Sequence, residues 1–581
     1  MTGDGYIKMS LICSLVPETA KPHSRLKPVV NTELHICSGQ NDTCAFEAVF
    51  YSPKTAATVS IGTAPAISRL GKVTSSRVAV RSDLPCEMRF MAFHPSDEGE
   101  FYADALLEDE RVDIMPNCSA GIYFEISVPE NAKPGDHVVS VDIYESEMFS
   151  DEKKLQTLTC RVRVYPYVMP KRTDMDFHLD LWQHNTVLAH TFGVELWSER
   201  HFELIEKAVK ELALLGQKAV TLILSNAPWS GQWCHLNRRT AATLYEYSIV
   251  PIKKDVNGVF VYDFSIMQRY IDLCARYGID REITLFGLVN VWCDSDNGFG
   301  RVLEDSDCGA KIRYFDEKDG VYKYMRSQAE FDDYMKAIYN YFIDTNQIEK
   351  VRLMADEPAD IKAYKNALDH MKKTVPLFKL KAAINHSEFI PEFGDRVFDF
   401  APNLCSWSKE FKKISEYQKT MPDKRFLWYV CNNPTHPNTF LAGDLCETLF
   451  IGVITSMMGM DGFLRWGFTV WCDDPVKDNR YLTWPCGDLN FVYPSKSGNI
   501  LPSLRSKALG RAIDLCELLN EVKRRFGREV AQIAYDKVVR EKDVRKYFVG
   551  EEPISARSMY STHYSDYDSV REFALSKLSE L

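Results

Sequence analysis

A chain of 581 residues is too long for one hydrophobic core, so two or three domains are expected. With 26% charged and 45% apolar residues it has the composition of a soluble globular protein. No run approaches the roughly 20 apolar residues of a membrane span. The net charge of −11 argues against a nucleic-acid backbone as partner, which needs a basic face, and leaves a neutral sugar open.

Sixteen cysteines are scattered without CxxC pairs or zinc-ligand spacing. The segment Met1-Thr2-Gly3-Asp4-Gly5 lacks the basic and apolar regions of a signal peptide. Reduced, mostly buried thiols in a cytoplasmic protein are expected, although a secreted or periplasmic protein whose signal had been removed reads the same.

Residues 1–172 read as β-structure. Ile122, Phe124, Ile126 and Val128 alternate with period two, as do Val139, Val141 and Ile143, and then Leu158, Cys160, Val162 and Val164. Pro134-Gly135-Asp136 is a turn signal between the first two runs. Short alternating strands at this spacing predict an antiparallel β-sandwich with an accessory role. It holds no catalytic constellation; separate glycan binding is the alternative.

Residues 173–500 read as alternating strand and helix. Strand candidates fall at 177–182, 219–224, 283–289, 351–354, 379–384, 397–400, 425–430 and 462–466. Between them, Phe202, Ile205, Val209 and Leu212 share one helical face, and Ser327-Gln328-Ala329-Glu330 is a capping box before another helix. Further helices are expected near 265–277, 360–374, 408–419 and 441–458. Eight strands with intervening helices predict a (β/α)8 TIM-type barrel. A doubly wound sheet is the runner-up, but neither G-x-G-x-x-G nor G-x-x-x-x-G-K-[ST] is present. Residues 501–581 are expected to be a helical extension, starting with Leu509, Ile513, Cys516 and Leu519 on one face, and a Tyr-rich tail.

In such a barrel the residues just past each strand line the catalytic mouth. They are Trp182, Gln183 and His184; Asn226 and Trp229; Asn290 and Trp292; Asp356 and Glu357; Asn385 and His386; Trp407; Trp428, Tyr429 and Asn433; and Trp466, Trp471, Asp473 and Asp474. Ten tryptophans and 12% aromatic content fit a sugar ring, whose C–H face packs on indole while polar groups hold hydroxyls. Each residue alone has a structural reading as core or as a satisfied polar group. Their joint placement carries the argument.

Asp356 and Glu357 end an apolar strand, and Pro358 stops it, having no N–H for a ladder. The pair can equally be a loop start or a helix cap. As a catalytic pair it has an unusual constraint. Retaining glycosidases with two working carboxylates hold them roughly 5–5.5 Å apart across the scissile bond. Adjacent strand residues point to opposite faces, and only a break in the strand turns both to one pocket. They would then act on the same side of the sugar. Glu357 suits a general acid, and Asp356 suits an acceptor for a substrate N–H. If that N–H belongs to a 2-acetamido group, its carbonyl oxygen supplies the nucleophile. The neighbouring charges raise one pKa.

Several longer segments add to the pair: Leu179-Asp180-Leu181-Trp182-Gln183-His184, Asp356-Glu357-Pro358, and Trp428-Tyr429-Val430-Cys431-Asn432-Asn433-Pro434 running into His436-Pro437-Asn438-Thr439-Phe440. Asp461-Gly462-Phe463-Leu464-Arg465-Trp466 through Trp471 to Asp474-Pro475 continues the pattern, and Gly487-Asp488 precedes Val492-Tyr493-Pro494. In these the chain resembles glycoside hydrolase family 123 over nearly its whole length. The resemblance implies a β-sandwich, a catalytic barrel, and a retaining exo-acting β-N-acetylgalactosaminidase working through an oxazoline, with no cofactor or metal. It implies Glu357 as acid then base and Asp356 as orienter of the acetamido group, with Tyr429 on its carbonyl by analogy. Trp182, His184, Asn385, His386, Trp407, Trp428, Tyr429, Asn433, Trp466, Trp471 and Asp474 are the expected substrate-binding residues. The expected partner is a glycan or glycoconjugate. One departure is Lys507, where relatives carry an acidic residue, and the 227–262 and 294–326 insertions are others. A barrel glycosidase acting on a sugar without an acetamido group, or a non-catalytic glycan-binding relative, are the alternatives.

Overall fold

The computed structural model describes residues 11–25, 27–63, 74–229, 246–289 and 310–580. The N-terminal part forms two sheets. In the five-stranded one, Ile12–Pro17, Asp42–Ser52, Cys118–Val128, Cys86–Pro95 and Phe101–Leu106 run in that spatial order, all antiparallel. The six-stranded one is ordered Glu33–Gln40, Lys153–Val168, Gly135–Glu147, Thr74–Arg81, Ala57–Ser60 and Arg111–Ile114. The alternating residues Ile122, Phe124, Ile126, Val139, Val141, Ile143, Leu158, Cys160 and Val162 are all fully buried in the one apolar core shared by the two sheets. The expectation of purely antiparallel pairing is corrected at two places. Glu33–Gln40 pairs parallel with Lys153–Val168, and Ala57–Ser60 pairs parallel with Thr74–Arg81. Side-chain alternation is the same in both pairings, so sequence periodicity does not distinguish them.

The middle of the chain builds an eight-stranded parallel sheet: β1 His178–Leu181, β2 Ala219–Ile223, β3 Glu282–Val289, β4 Val351–Asp356, β5 Lys379–Ile384, β6 Asp399–Pro402, β7 Arg425–Tyr429 and β8 Gly462–Arg465. Each strand from β2 to β8 pairs with the next, and β8 pairs with β1. The seam between β1 and β2 is bridged by Leu179 and Gln217. The Gln217 side chain there substitutes for a strand backbone, accepting from Leu181 N–H at 2.8 Å and donating to Leu181 C=O at 3.1 Å. The sheet is thus a nearly closed barrel of TIM type, with the helices outside.

The helices that matter below are α1 Asn185–Phe192, α2 Glu199–Leu215, α3 Ser265–Arg276, α4 Leu445–Met458 and α5 Leu504–Phe526. The helix α5 starts where Ser503 caps it and buries Leu509, Ile513, Cys516 and Leu519 in the same core as the barrel. A domain boundary at 500 therefore does not coincide with a break in the packing: α5 is the helix that follows β8. Nor is the C-terminal segment a free tail, since Tyr535, Tyr547, Tyr560 and Tyr567 are buried in that core. From α5, Arg505 meets Asp104 at 2.8 Å with both side chains fully enclosed, Arg511 meets Glu18, and Lys507 meets Glu125 at 2.5 Å. These ion pairs tie the barrel to the N-terminal sheets.

Inside the barrel, away from the mouth, lies a buried ionic cluster. Lys381 of β5 reaches Asp180 of β1 and Glu282 of β3 at 2.5 Å each. Arg352 of β4 pairs with Asp399 of β6, and Arg425 of β7 with Glu282. Parts of the two insertions form a small sheet of Ile252–Lys254, Phe260–Tyr262, Arg313–Asp316 and Val321–Tyr324. The thirteen cysteines among the described residues are all unpaired, and no described helix is long and apolar enough to cross a membrane.

Candidate active site

Along β4 the side chains alternate. Val351, Leu353 and Ala355 pack outward into the core under the helices, while Met354 packs inward in the cluster lining the mouth. Asp356, two residues on, therefore points inward, and Glu357 by the same rule would point out. Glu357 instead has φ +48°, the left-handed region that few non-glycine residues enter. That turn brings its carboxyl to the mouth, where Oε1 accepts a hydrogen bond from the Tyr429 hydroxyl and Oε2 accepts from Asn385 Nδ2 at 3.0 Å. Asp356 Oδ2 accepts from Trp229 Nε1 at 3.2 Å. Both carboxyls thus serve one pocket from one strand end.

Burial pushes Asp356 well above the usual carboxylate range, and the charge of Glu357 adds to this; the Trp229 N–H opposes them. Glu357 is raised by burial first and by Asp488, while the Tyr429 hydroxyl and His386 pull it down. Tyr429 is held neutral because burial and the adjacent Glu357 raise it far above its normal value. Burial therefore favours the protonated form of each carboxyl, and the titration belongs to both groups together. Such a pair can deliver a proton to a leaving oxygen while its partner accepts a hydrogen bond.

Around it, Trp182, Trp229 and Phe286 pack as a floor, with ring centroids 6.2 Å apart for the two tryptophans and 4.5 Å for Trp229 and Phe286. Trp466 is half-buried against this floor and donates Nε1–H to Asp488 at 3.0 Å. Asp488 is fully buried, and its other oxygen accepts from Arg465 at 2.9 Å. Among the described residues no group of three or more His, Cys, Asp or Glu is placed to hold a metal ion.

Of the residues expected from the sequence, Asp356, Glu357, Tyr429, Asn385, His386, Trp182 and Trp466 come together here. Others do not. Trp428 neighbours Tyr429 on β7 and so faces outward, where its Nε1 donates to Thr455 of α4 at 2.8 Å and its ring meets Trp407 at 5.4 Å. Both are core, buried under the helices. Trp471 is also core, its indole spent on the Val492 carbonyl at 2.7 Å. Asp474 lies at the surface in a groove with Leu107 and Glu108 of the N-terminal part. Asn433 is exposed on the loop after β7, and its carbonyl accepts from Cys431 N–H at 3.2 Å. His184 is fully buried and donates Nε2–H to the Trp466 carbonyl at 2.8 Å, so it backs the site without facing it. Gln183 and Asn226 are likewise buried and spent on backbone groups. Asn290 and Trp292 lie outside the described residues. Conversely, Trp229 holds Asp356 and the charge of Asp488 raises Glu357 in ways that spacing does not reveal. Trp229 sits in the expected mouth without a distinguishing motif, and the only signal for Asp488 is the Gly487-Asp488 segment.

A parallel barrel with a buried carboxyl pair at the C-terminal ends of its strands, on an indole floor, has the architecture of a barrel glycosidase. The family follows from comparison. The family model described as "Glycoside hydrolase 123, catalytic domain" matches residues 182–522. The chain belongs to glycoside hydrolase family 123. Among solved structures it is similar to a family 123 glycoside hydrolase from Clostridium perfringens, described for glycolipid glycan hydrolysis. The identity is 16%, the match covers 98% of this chain and 97% of that one, and the TM-score is 0.73. A putative glycoside hydrolase from Bacteroides vulgatus matches at 11% identity over 77% of each chain with a TM-score of 0.29. No curated protein matches the sequence.

Proposed function

We propose that the enzyme is a retaining, exo-acting β-N-acetylhexosaminidase that removes a terminal β-linked GalNAc by substrate-assisted catalysis. The observation that carries this reading is the shared orientation of Asp356 and Glu357, two adjacent carboxyls turned to one pocket by a left-handed residue. They cannot flank a sugar from opposite faces. Among the described residues, the further carboxyl near the pair is Asp488, which has one oxygen on Arg465 and the other on Trp466 and is poorly suited to attack carbon. The nucleophile then comes from the substrate.

In the first step protonated Glu357 gives its proton to the glycosidic oxygen as the C1–O bond breaks. The acetamido carbonyl oxygen forms a bond to C1, giving an oxazolinium whose N–H is held by Asp356. In the second step the Glu357 carboxylate takes a proton from water, the water oxygen bonds to C1, and the ring opens to restore the acetamide. Two inversions leave the β configuration retained. Half-buried Trp466 supplies the apolar surface, backed by the buried Trp182 and Trp229, and Asn385 and His386 the polar rim. Residues 1–172 are the accessory part, 173–500 the catalytic barrel and 501–581 its brace. The Clostridium perfringens relative is described for glycolipid glycans, and a glycoconjugate non-reducing end is accordingly the substrate class we assign.

The test is turnover of 4-nitrophenyl β-GalNAc, β-GlcNAc and β-galactoside by wild type, Glu357→Gln and Asp356→Asn. Turnover of the acetamido sugars alone, lost in both variants, supports the reading. Equal turnover of the plain galactoside removes the need for substrate assistance, and undiminished turnover by both variants removes the site.

A further inference from the structure

His184 and Glu246 form a buried pair that the mechanism above does not use. Both side chains are essentially inaccessible, at 0% and 1% exposure, and His184 Nδ1 faces Glu246 Oε1 at 4.0 Å. The two atoms stand beyond hydrogen-bond distance of each other, and neither has a hydrogen-bond partner among the described residues. The other nitrogen of His184 is committed: a carbonyl only accepts, so Nε2 carries the hydrogen that meets the Trp466 carbonyl at 2.8 Å. The other oxygen of Glu246 accepts from the Thr186 N–H at 3.1 Å, at the start of α1. The chain also turns on Glu246 at its backbone, where its carbonyl accepts from Ala227 N–H at 2.8 Å, two residues before Trp229.

The imidazole ring lies between the two indoles that organise the site. Its centroid is 4.8 Å from that of Trp229, whose N–H holds Asp356. Its Nε2–H fixes the backbone of Trp466, whose N–H holds Asp488, a carboxylate that raises Glu357. One ring therefore touches Trp229, the support of Asp356, and fixes the backbone of Trp466.

We propose that Glu246 and His184 act as a positioning pair, the carboxyl hydrogen of Glu246 facing the imidazole across the gap, which holds Trp229 so that Asp356 keeps its catalytic orientation. With a hydrogen on the carboxyl the two groups are compatible; without it, a charge and a lone pair face each other across the gap. Burial supports the neutral form of each. It pushes Glu246 up to about 7 and His184 down to about 4. The signs agree. A raised carboxyl is stabilising below its ordinary value near 4.5 and loses that contribution as pH rises to about 7. A lowered imidazole is stabilising above its ordinary 6.5 and loses that contribution as pH falls to about 4. The pair is thus intact between about 4 and 7. Among the described residues, the other titratable group that feels Glu246 is Tyr270 of α3, which burial keeps neutral. On the other sides His184 meets Trp229 and Trp466, and Glu246 meets Thr186.

This inference rests on the proposed function for its kinetic arm only. The experiment compares wild type, Glu246→Gln and Glu246→Ala. Glutamine keeps a neutral donor opposite Nδ1 that no longer titrates; alanine removes it. On 4-nitrophenyl β-GalNAc, Glu246→Ala is expected to lose about 10–100-fold in kcat at pH 6 with KM changed less than threefold, a loss of the size that follows when a buried polar support is removed and the Thr186 N–H is left without its acceptor. Glu246→Gln is expected to recover most of that loss and to shift or abolish the alkaline limb near pH 7. The second readout needs no substrate: intrinsic tryptophan fluorescence titrated from pH 5 to 8 should show a transition near 7 in wild type and none in Glu246→Gln. A fluorescence transition of the same midpoint in Glu246→Gln overturns the proposal, as does a Glu246→Ala enzyme that loses thermal stability but no kcat. If none of the three proteins turns over any acetamido sugar, the functional reading fails while the fluorescence titration still decides the pair.

Discussion

Replacing Tyr429 with Phe separates the proton-transfer argument from general disruption of the site. The change removes one hydroxyl from a ring that is 3% exposed and packed in the mouth cluster, and it leaves the ring in place. That hydroxyl donates to Glu357 Oε1 and favours the carboxylate; Asn385 continues to donate to Oε2 at 3.0 Å. A hydrogen bond to a charged group is worth about 1.5–3 kcal/mol. At about 1.36 kcal/mol per pKa unit, its loss raises the Glu357 midpoint by about 1–2 units. The sign follows directly. Glu357 must be protonated to act as acid, so the alkaline limb of kcat/KM moves to higher pH by that amount, while the plateau falls if Tyr429 also holds the acetamido carbonyl. The assay is kcat/KM for 4-nitrophenyl β-GalNAc from pH 4 to 9, in wild type and Tyr429→Phe. An alkaline limb that stays in place, or moves down, refutes the assignment of Glu357 as the acid that Tyr429 tunes.

Further outcomes are expected from other parts of the structure. Trp229→Phe keeps the stack on Phe286 but deletes the donor to Asp356; kcat/KM should fall about 10–100-fold, matching ~1–3 kcal/mol for a lost buried partner, with a thermal midpoint near that of wild type. Glu357→Gln should lose about 100–10,000-fold in kcat on poor leaving groups and far less on 2,4-dinitrophenyl glycosides, which need no proton, as leaving-group series would show. Lys381→Met strands Asp180 in the barrel interior and takes one cation from Glu282, which keeps Arg425. A cost of about 3–5 kcal/mol is expected, read as a lowered midpoint of thermal unfolding. Lys507→Glu places like charges at the partly exposed Lys507–Glu125 contact. It should cost no more than about 1 kcal/mol and leave kcat unmoved, and Glu125→Lys in the same chain should restore the midpoint.

The barrel was legible because its strands are apolar runs with helices between them. The exceptions have a common cause in charge. The strand expected at 397–400 is Asp399–Pro402 in the structure, because Asp399 lies in the buried ionic cluster and interrupts the apolar signal. Asp180, Glu282, Arg352 and Lys381 are equally hidden: each is a charged residue on an inward face, and their pairing runs between strands far apart in sequence. Hydrophobic periodicity finds the wall of such a barrel and misses its polar interior. The Tyr-rich C-terminal segment was unread for the opposite reason. Its tyrosines look solvated by composition, yet Tyr547, Tyr560 and Tyr567 are buried against the barrel helices.

The site shows which part of a mouth can be read from residue type alone. Being near a strand end is not enough, because side-chain direction alternates. Tyr429 faces the mouth and Trp428, one residue earlier, faces Thr455 of α4. Trp407, Trp428 and Trp471 satisfied the expectation of indole near strand ends, and all three are core. Parity sorts them correctly once one inward residue is known. Parity also predicts the wrong direction for Glu357, and there the backbone overrides it with φ +48°. A left-handed non-glycine residue costs about 1–3 kcal/mol and persists only where its surroundings enforce it. Here Tyr429 and Asn385 grip the carboxyl, and the Glu357 N–H continues the ladder to Ala383 C=O at 3.1 Å. The strain is therefore spent on one outcome: placing the Glu357 carboxyl beside that of Asp356 at one pocket. A conventional pair of opposed carboxylates would need no such turn, since two inward positions on different strands would serve. The turn is what an enzyme requires if one carboxyl moves the proton and its neighbour steers a nucleophile that the sugar itself carries.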